Sequence, residues 1–181
     1  MPGRAASARR YAEAVFDLAL EKEALDEWSR DLRSIAGFVG ERDVAMVLSS
    51  NRVPRGEKLR LLEAGLRADI GRLAMNLVRL LNERDKIMQA PDIQQVFQEL
   101  VDEHRGIAHA VVTTAVPLTE DDQRAVAERL SAITGKRVDV TPVVDESIIG
   151  GMVARIGDQL MDGSTRTRLQ ALKRRLEGVA R

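Results

Sequence analysis

Apolar positions recur at three- and four-residue steps through roughly the first hundred residues, then give way to short β-branched runs. Ser7 to about Leu20 is rich in good helix formers. Its apolar positions fall on two faces: Ala8, Tyr11, Ala14, Val15 and Leu18 on one, Ala12, Phe16 and Ala19 on the other. A helix apolar over most of its girth is covered on more than one side, by its own neighbours or by a partner. A second helix, Ala24 to Val39, carries Leu25, Trp28, Leu32, Ile35, Ala36 and Val39 in helical register. A short third helix is predicted near Val44 to Leu48. After the break at SSNRVP, Pro54 suits the first turn of a fourth, which holds Leu59, Leu62 and Leu66. The fifth, about Asp69 to Glu83, has Ile70, Leu73, Ala74, Leu77, Leu80 and Leu81 as its stripe. In the sixth, about Asp85 to Arg105, Pro91 predicts a kink or a restart. Short connections between successive amphipathic helices imply an antiparallel bundle.

The pattern changes at Arg105-Gly106. Ile107 to Val116 is β-branched and reads as a strand closed by Pro117. Thr119 with Asp122 three residues on predicts a capping box opening a helix that ends at Gly135. Val138, Val140 and Val144 lie around Pro142, which places that strand at a sheet edge or end. Met152 to Ile156 reads as another strand, with Gly157-Asp158 turning a hairpin into Gln159–Met161. A last helix, Ser164 to Val179, has Leu169, Leu172, Leu176 and Val179 on one side and Arg166, Lys173, Arg174 and Arg175 on the other. The expected fold is mainly α: a six-helix bundle over residues 1–105, then a smaller α+β domain over 106–181.

Composition narrows the function. Apolar residues make up 44% of the 181 residues and charged residues 31%, which suits a globular chain. The 28 basic residues balance 28 acidic ones, so no bulk field points to nucleic acid or an anionic membrane. Without cysteine, disulfides, thiolate metal sites and a Cys nucleophile are excluded. The opening MPGRAASARRYAEAVF lacks the apolar run of about 7–15 residues of a secretory leader, and no run approaches the roughly 20 residues of a membrane span.

The stretch DESIIGGMVARIGDQLMDGSTRTRL, from Asp145 to Leu169, most resembles an active site. Gly150-Gly151 precedes a strand rather than a helix N-terminus, so it fits a chain reversal better than a phosphate cradle. Asp145 and Glu146 open a loop, Asp158 suits the hairpin turn, and Asp162 with Gly163 and Ser164 suits the N-cap region of the last helix. His104 and His109 stand five residues apart with no further ligand nearby, so no metal site is expected. No cofactor motif is present. The basic face of the last helix reads as solvated and lacks the interleaved aromatics of a nucleic-acid surface.

Four segments carry a family resemblance: ARRYAEAVFDLA (Ala8–Ala19), LVRLLNERDKIMQAPDI (Leu77–Ile93), FQELVDEHRGIAHAVVTTAVPLTE (Phe97–Glu120) and VDESIIGGMVARIGDQLMDGSTRTRLQALKRRL (Val144–Leu176). In order and spacing they resemble the delta subunit of F-type ATP synthases, related to the mitochondrial oligomycin-sensitivity-conferring protein. Val15 stands where that family usually has Leu. The resemblance implies a non-catalytic stator component without cofactor, monomeric in its complex and peripheral on the cytoplasmic face of a bacterial inner membrane. It implies that a groove between the first and fifth helices takes the amphipathic N-terminus of an alpha subunit. Carried onto this chain, Tyr11, Ala14, Val15 and Leu18 would face Asn76, Arg79, Leu80 and Glu83. The C-terminal domain, with its signature Asp145, Gly150, Gly151, Asp162, Gly163 and Ser164, would meet b-type stalk subunits. A nucleic-acid adaptor and a small enzyme are the competing classes.

Overall fold

A computed structural model of the chain describes residues 2–146, 148, 150–157 and 159–163, with side chains from residue 5 onward. The predicted last helix (Ser164 to Val179) and Asp158 lie outside the described residues. Among the rest, the helical periodicity is realised as α1 (Pro2–Glu21), α2 (Leu25–Gly40), α3 (Arg42–Ser49), α4 (Arg55–Leu66), α5 (Arg72–Glu83) and α6 (Ala90–His104). A 3-10 turn, Ile87–Gln89, precedes α6, so Pro91 marks a restart in the first turn of α6, where its missing N–H costs nothing. Four strands follow: β1 (Ile107–Thr114), β2 (Arg137–Val144), β3 (Met152–Ile156) and β4 (Gln159–Asp162), with α7 (Glu120–Thr134) between β1 and β2. The chain divides into two compact units, Met1–Val101 and Asp102–Arg181.

In the first unit one apolar core is shared by all six helices. Leu32, Ile35, Leu62, Leu66, Val78, Leu81, Ile93 and Phe97 are each at most 1% exposed. Burying a side chain of this size stabilises by about 1.5–3 kcal/mol before entropy is counted. Phe16 of α1 meets Phe97 of α6 edge to face, ring centroids 6.2 Å apart. The buried face of α1 differs from the predicted one. Ala8, Ala12, Val15 and Ala19 form the core stripe, while Tyr11, Phe16 and Leu18 flank it half-buried. Alanines bring the α1 backbone close to its neighbours, so the small side chains sit deepest and the larger ones splay to either side.

Helix α5 begins three residues later than its apolar pattern suggests. Gly71 is extended (φ −69°, ψ 164°), and its amide donates to Oδ2 of Asp31 on α2 at 3.0 Å. Asp31 is only 7% exposed. A carboxylate at the positive end of a helix is favourable both as an acceptor and against the macrodipole. The opposite ends of these helices are tied as well. Nε of Arg55 donates to Oδ1 of Asp85 at 3.0 Å, Nδ2 of Asn82 donates to the Arg55 carbonyl at 3.2 Å, and Nζ of Lys58 donates to the Leu48 carbonyl at 2.6 Å. Phe38 of α2 lies directly over Gly65 of α4: a Cβ built there would come within 2.2 Å of the ring.

In the second unit the sheet order is β2-β1-β3-β4. β1 and β2 run parallel from Ile107↔Arg137 to Thr114↔Val144, which requires α7 as the crossover. β3 lies antiparallel to both β1 and β4, and Ile156↔Gln159 closes a two-residue hairpin. Ala110, Val112, Leu130, Val138 and Ala154 make a small core on one face of the sheet. The capping box forms: Thr119 Oγ1 accepts from the Asp122 amide at 3.2 Å, and Oδ2 of Asp122 accepts from the Thr119 amide at 3.2 Å. Gly135 ends α7 in the left-handed region (φ 68°). As Pro142 suggests, β2 is an edge strand.

Candidate docking surface

On α5 the residues turned away from the core are Arg72, Leu73, Asn76, Arg79, Leu80 and Glu83. Leu73 and Leu80 are 38% and 40% exposed, seven residues apart on one stripe, with Asn76 between them. Their seven-residue spacing on one face matches what an approaching amphipathic helix would cover. Of the α1 residues assigned to the groove, Tyr11 and Leu18 are half-buried, Ala14 is exposed, and Val15 is 5% exposed within the core. α1 packs against α2, and α5 against α4, α2 and the 3-10 turn.

Beside the α5 stripe a cleft of about 650 Å³ follows the seam between α4 and α5. Arg60 and Glu63 of α4, with Arg67 just past its end, line one side, and Arg72, Met75 and Arg79 of α5 the other. Nε of Arg79 donates to Oε1 of Glu63 at 2.7 Å, and its Nη1 to Oδ1 of Asn76 at 3.3 Å. Among the described residues no carboxylate pairs with Arg60, Arg67 or Arg72. Sequence reading missed this cleft because its arginines come from two helices. Their i, i+7 spacings on each (Arg60 and Arg67, Arg72 and Arg79) are visible only once the partner helix is known.

The signature residues of the second unit gather at one end of its sheet. The Asp145 amide donates to the Thr114 carbonyl at 2.9 Å, and Thr114 is paired with Met152. Gly151, with φ 81°, turns the chain into β3. Asp162 is the last residue of β4, opposite Val153; the helix it is expected to cap lies outside the described residues. The Gly163 amide donates to the Met152 carbonyl at 2.9 Å. Ser164 lies outside the described residues. Both of these bonds, from Asp145 and from Gly163, are backbone bonds that shape the chain.

At the start of β1, Nε2 of His109 lies 2.9 Å from Oδ2 of Asp102. Among the described residues no group of three His, Asp or Glu side chains converges on a metal position. The salient chemistry of the surface is an open leucine stripe bordered by guanidinium groups, which suits recognition of another chain. Fold and surface together define an interaction protein: a helical unit with a face to be covered, followed in the chain by a small α/β unit.

The comparisons specify it. The model of the ATP synthase delta (OSCP) subunit family matches residues 8–176. The "ATP synthase subunit delta" of Dehalococcoides mccartyi is 39% identical over 170 residues, covering 93% of this chain and 92% of the relative. That of an Anaeromyxobacter species is 39% identical over 174 residues, covering 94% and 96%. That of Brevibacillus brevis is 34% identical over 163 residues, covering 90% and 93%. A chain in the cryo-EM structure of the Toxoplasma gondii mitochondrial ATP synthase hexamer shares the fold, with a TM-score of 0.66 at 24% identity over 93% of this chain and 96% of that one. The chain belongs to the ATP synthase delta (OSCP) subunit family.

Proposed function

We propose that this chain is a stator element of an F-type ATP synthase. It is an accessory subunit of the peripheral stalk, not a catalytic one. It holds the N-terminus of an alpha subunit with its helical unit, working as a six-helix bundle, and meets b-type stalk subunits with its C-terminal unit. So placed, it keeps the catalytic head from turning with the rotor and couples proton-driven rotation to ATP synthesis. The observation that carries this reading is the exposed Leu73–Leu80 stripe on α5 in a chain of this family. An amphipathic helix laid on it, in a groove completed by Tyr11, Ala14 and Leu18 and bordered by Asn76, Arg79 and Glu83, would cover both leucines, with Val15 buried in the core beneath. Holding against torque calls for nanomolar affinity, about −12 kcal/mol. Several apolar anchors at roughly 1.5–3 kcal/mol each bring that within reach. Asp145, Gly150, Gly151, Asp162, Gly163 and Ser164 then serve the stalk-facing unit by shaping its turns.

No helix among the described residues is long and apolar enough to cross a membrane. The chain is held peripherally, through its complex, at the cytoplasmic face of a bacterial inner membrane. Affinity purification of the tagged chain from native membranes tests the assignment. Co-purification of alpha, beta and b-type subunits is expected; recovery of the chain without them overturns it.

A further inference from the structure

We infer that the arginine cleft along the α4–α5 seam receives acidic side chains of the partner helix and so fixes which flank of that helix faces α4. The inference rests on the groove reading above and adds the chemistry of the occupant. Two observations lead to it. Four guanidinium groups line the cleft against one carboxylate, Glu63, which is already engaged by Arg79. Arg72-Leu73 and Arg79-Leu80 repeat the same cation–leucine pair seven residues apart, so the apolar stripe and the basic cleft run side by side along α5. The α5 N-terminus, where Gly71 lines the cleft, adds no further pull, because Asp31 already accepts from the Gly71 amide.

Unpaired arginines held side by side repel one another, and carboxylates set between them relieve that repulsion with charge-assisted, often bidentate hydrogen bonds. Free inorganic anion would fill the cleft without using the leucine stripe beside it. A helix with apolar residues at seven-residue spacing and acids on one flank uses both. The mirror placement, acids turned away from α4, leaves the arginines uncompensated, so charge sets orientation.

The test is calorimetric titration of the full chain with a synthetic peptide of the alpha-subunit N-terminal segment from the same organism, and with that peptide carrying amides in place of its acids. The variants are Arg60→Gln/Arg67→Gln/Arg72→Gln and, separately, Leu80→Asp, each checked for folding by circular dichroism. The triple variant is expected to bind the native peptide about 10-fold more weakly. The amide peptide should bind the native chain with a similar loss, and the two losses should not add. Raising salt from about 20 to 500 mM should weaken the native pair more than the triple variant. Unchanged affinity of the triple variant and of the amide peptide, with Leu80→Asp still weakening binding, overturns the cleft and leaves the groove. If Leu80→Asp also binds normally, the groove reading itself falls.

Discussion

Asp31 of α2 accepts a hydrogen bond from the amide of Gly71, the residue that opens α5, although the two stand 40 positions apart in the chain. Through it a buried carboxylate holds the amide at which α5 begins. Replacing Asp31 by Ala should lower the stability of the helical unit by about 1–3 kcal/mol, since a buried amide loses its acceptor. Urea unfolding followed by circular dichroism measures it. A midpoint within error of the native chain would remove Asp31 from this role.

Leu80 is open to solvent and makes little of the core, so Leu80→Asp should change stability by less than about 0.5 kcal/mol. The same substitution should weaken binding of an alpha N-terminal peptide at least 10-fold, because an apolar anchor becomes a charge that must be desolvated. Tyr11→Asp should weaken the same binding with the bundle still folded. Titration calorimetry on folded variants separates the two effects, and undiminished affinity would count against the groove.

Gly65 admits the ring of Phe38. Gly65→Ala, which in an open helix would stabilise, should here destabilise by about 1–3 kcal/mol, because the ring must leave its seat. Phe38→Leu should restore part of that loss, and a double-mutant cycle reads the coupling. Independent, additive effects would contradict the packing.

Acid should act through two exposed carboxyls. The hydrogen bond from Arg55 holds Asp85 below its ordinary value of 3.8, and the bonds from the Thr119 side chain and amide do the same for Asp122. A depressed folded value means stability that is present above 3.8 and lost as pH falls through the lower folded value. Thermal melts between pH 6 and 2 should therefore show a decline that begins near pH 4. Thr119→Ala should lower stability at neutral pH by about 1 kcal/mol, the usual cost of a lost N-cap, and flatten part of the acid decline.

Local chemistry made much of this fold readable. The box of Thr119 and Asp122, the stop at Gly135 and the turn into Gln159 are written within a few residues of where they act, and they form as expected. Helices α2 to α4 and α6 likewise announce themselves by period and by proline. What escaped depends on distant partners. The amide at the start of α5 is held by Asp31, and the depth of Val15 depends on how closely alanines let α1 approach its neighbours. The pairing of Asp162 with Val153, which extends β4 to the Asp-Gly step, likewise depends on a distant partner. For the proposed docking surface, Leu80 and its α5 neighbours rest on the resemblance, and the structure adds that they are exposed. The arginine cleft needed α4 and α5 side by side.

Pro142 divides the outer strand of the sheet into five residues before it and two after. A proline offers no amide, so a foreign strand trying to extend the sheet past β2 meets a missing rung in the middle of its ladder. The proline thereby blunts this edge against pairing with another copy through the backbone.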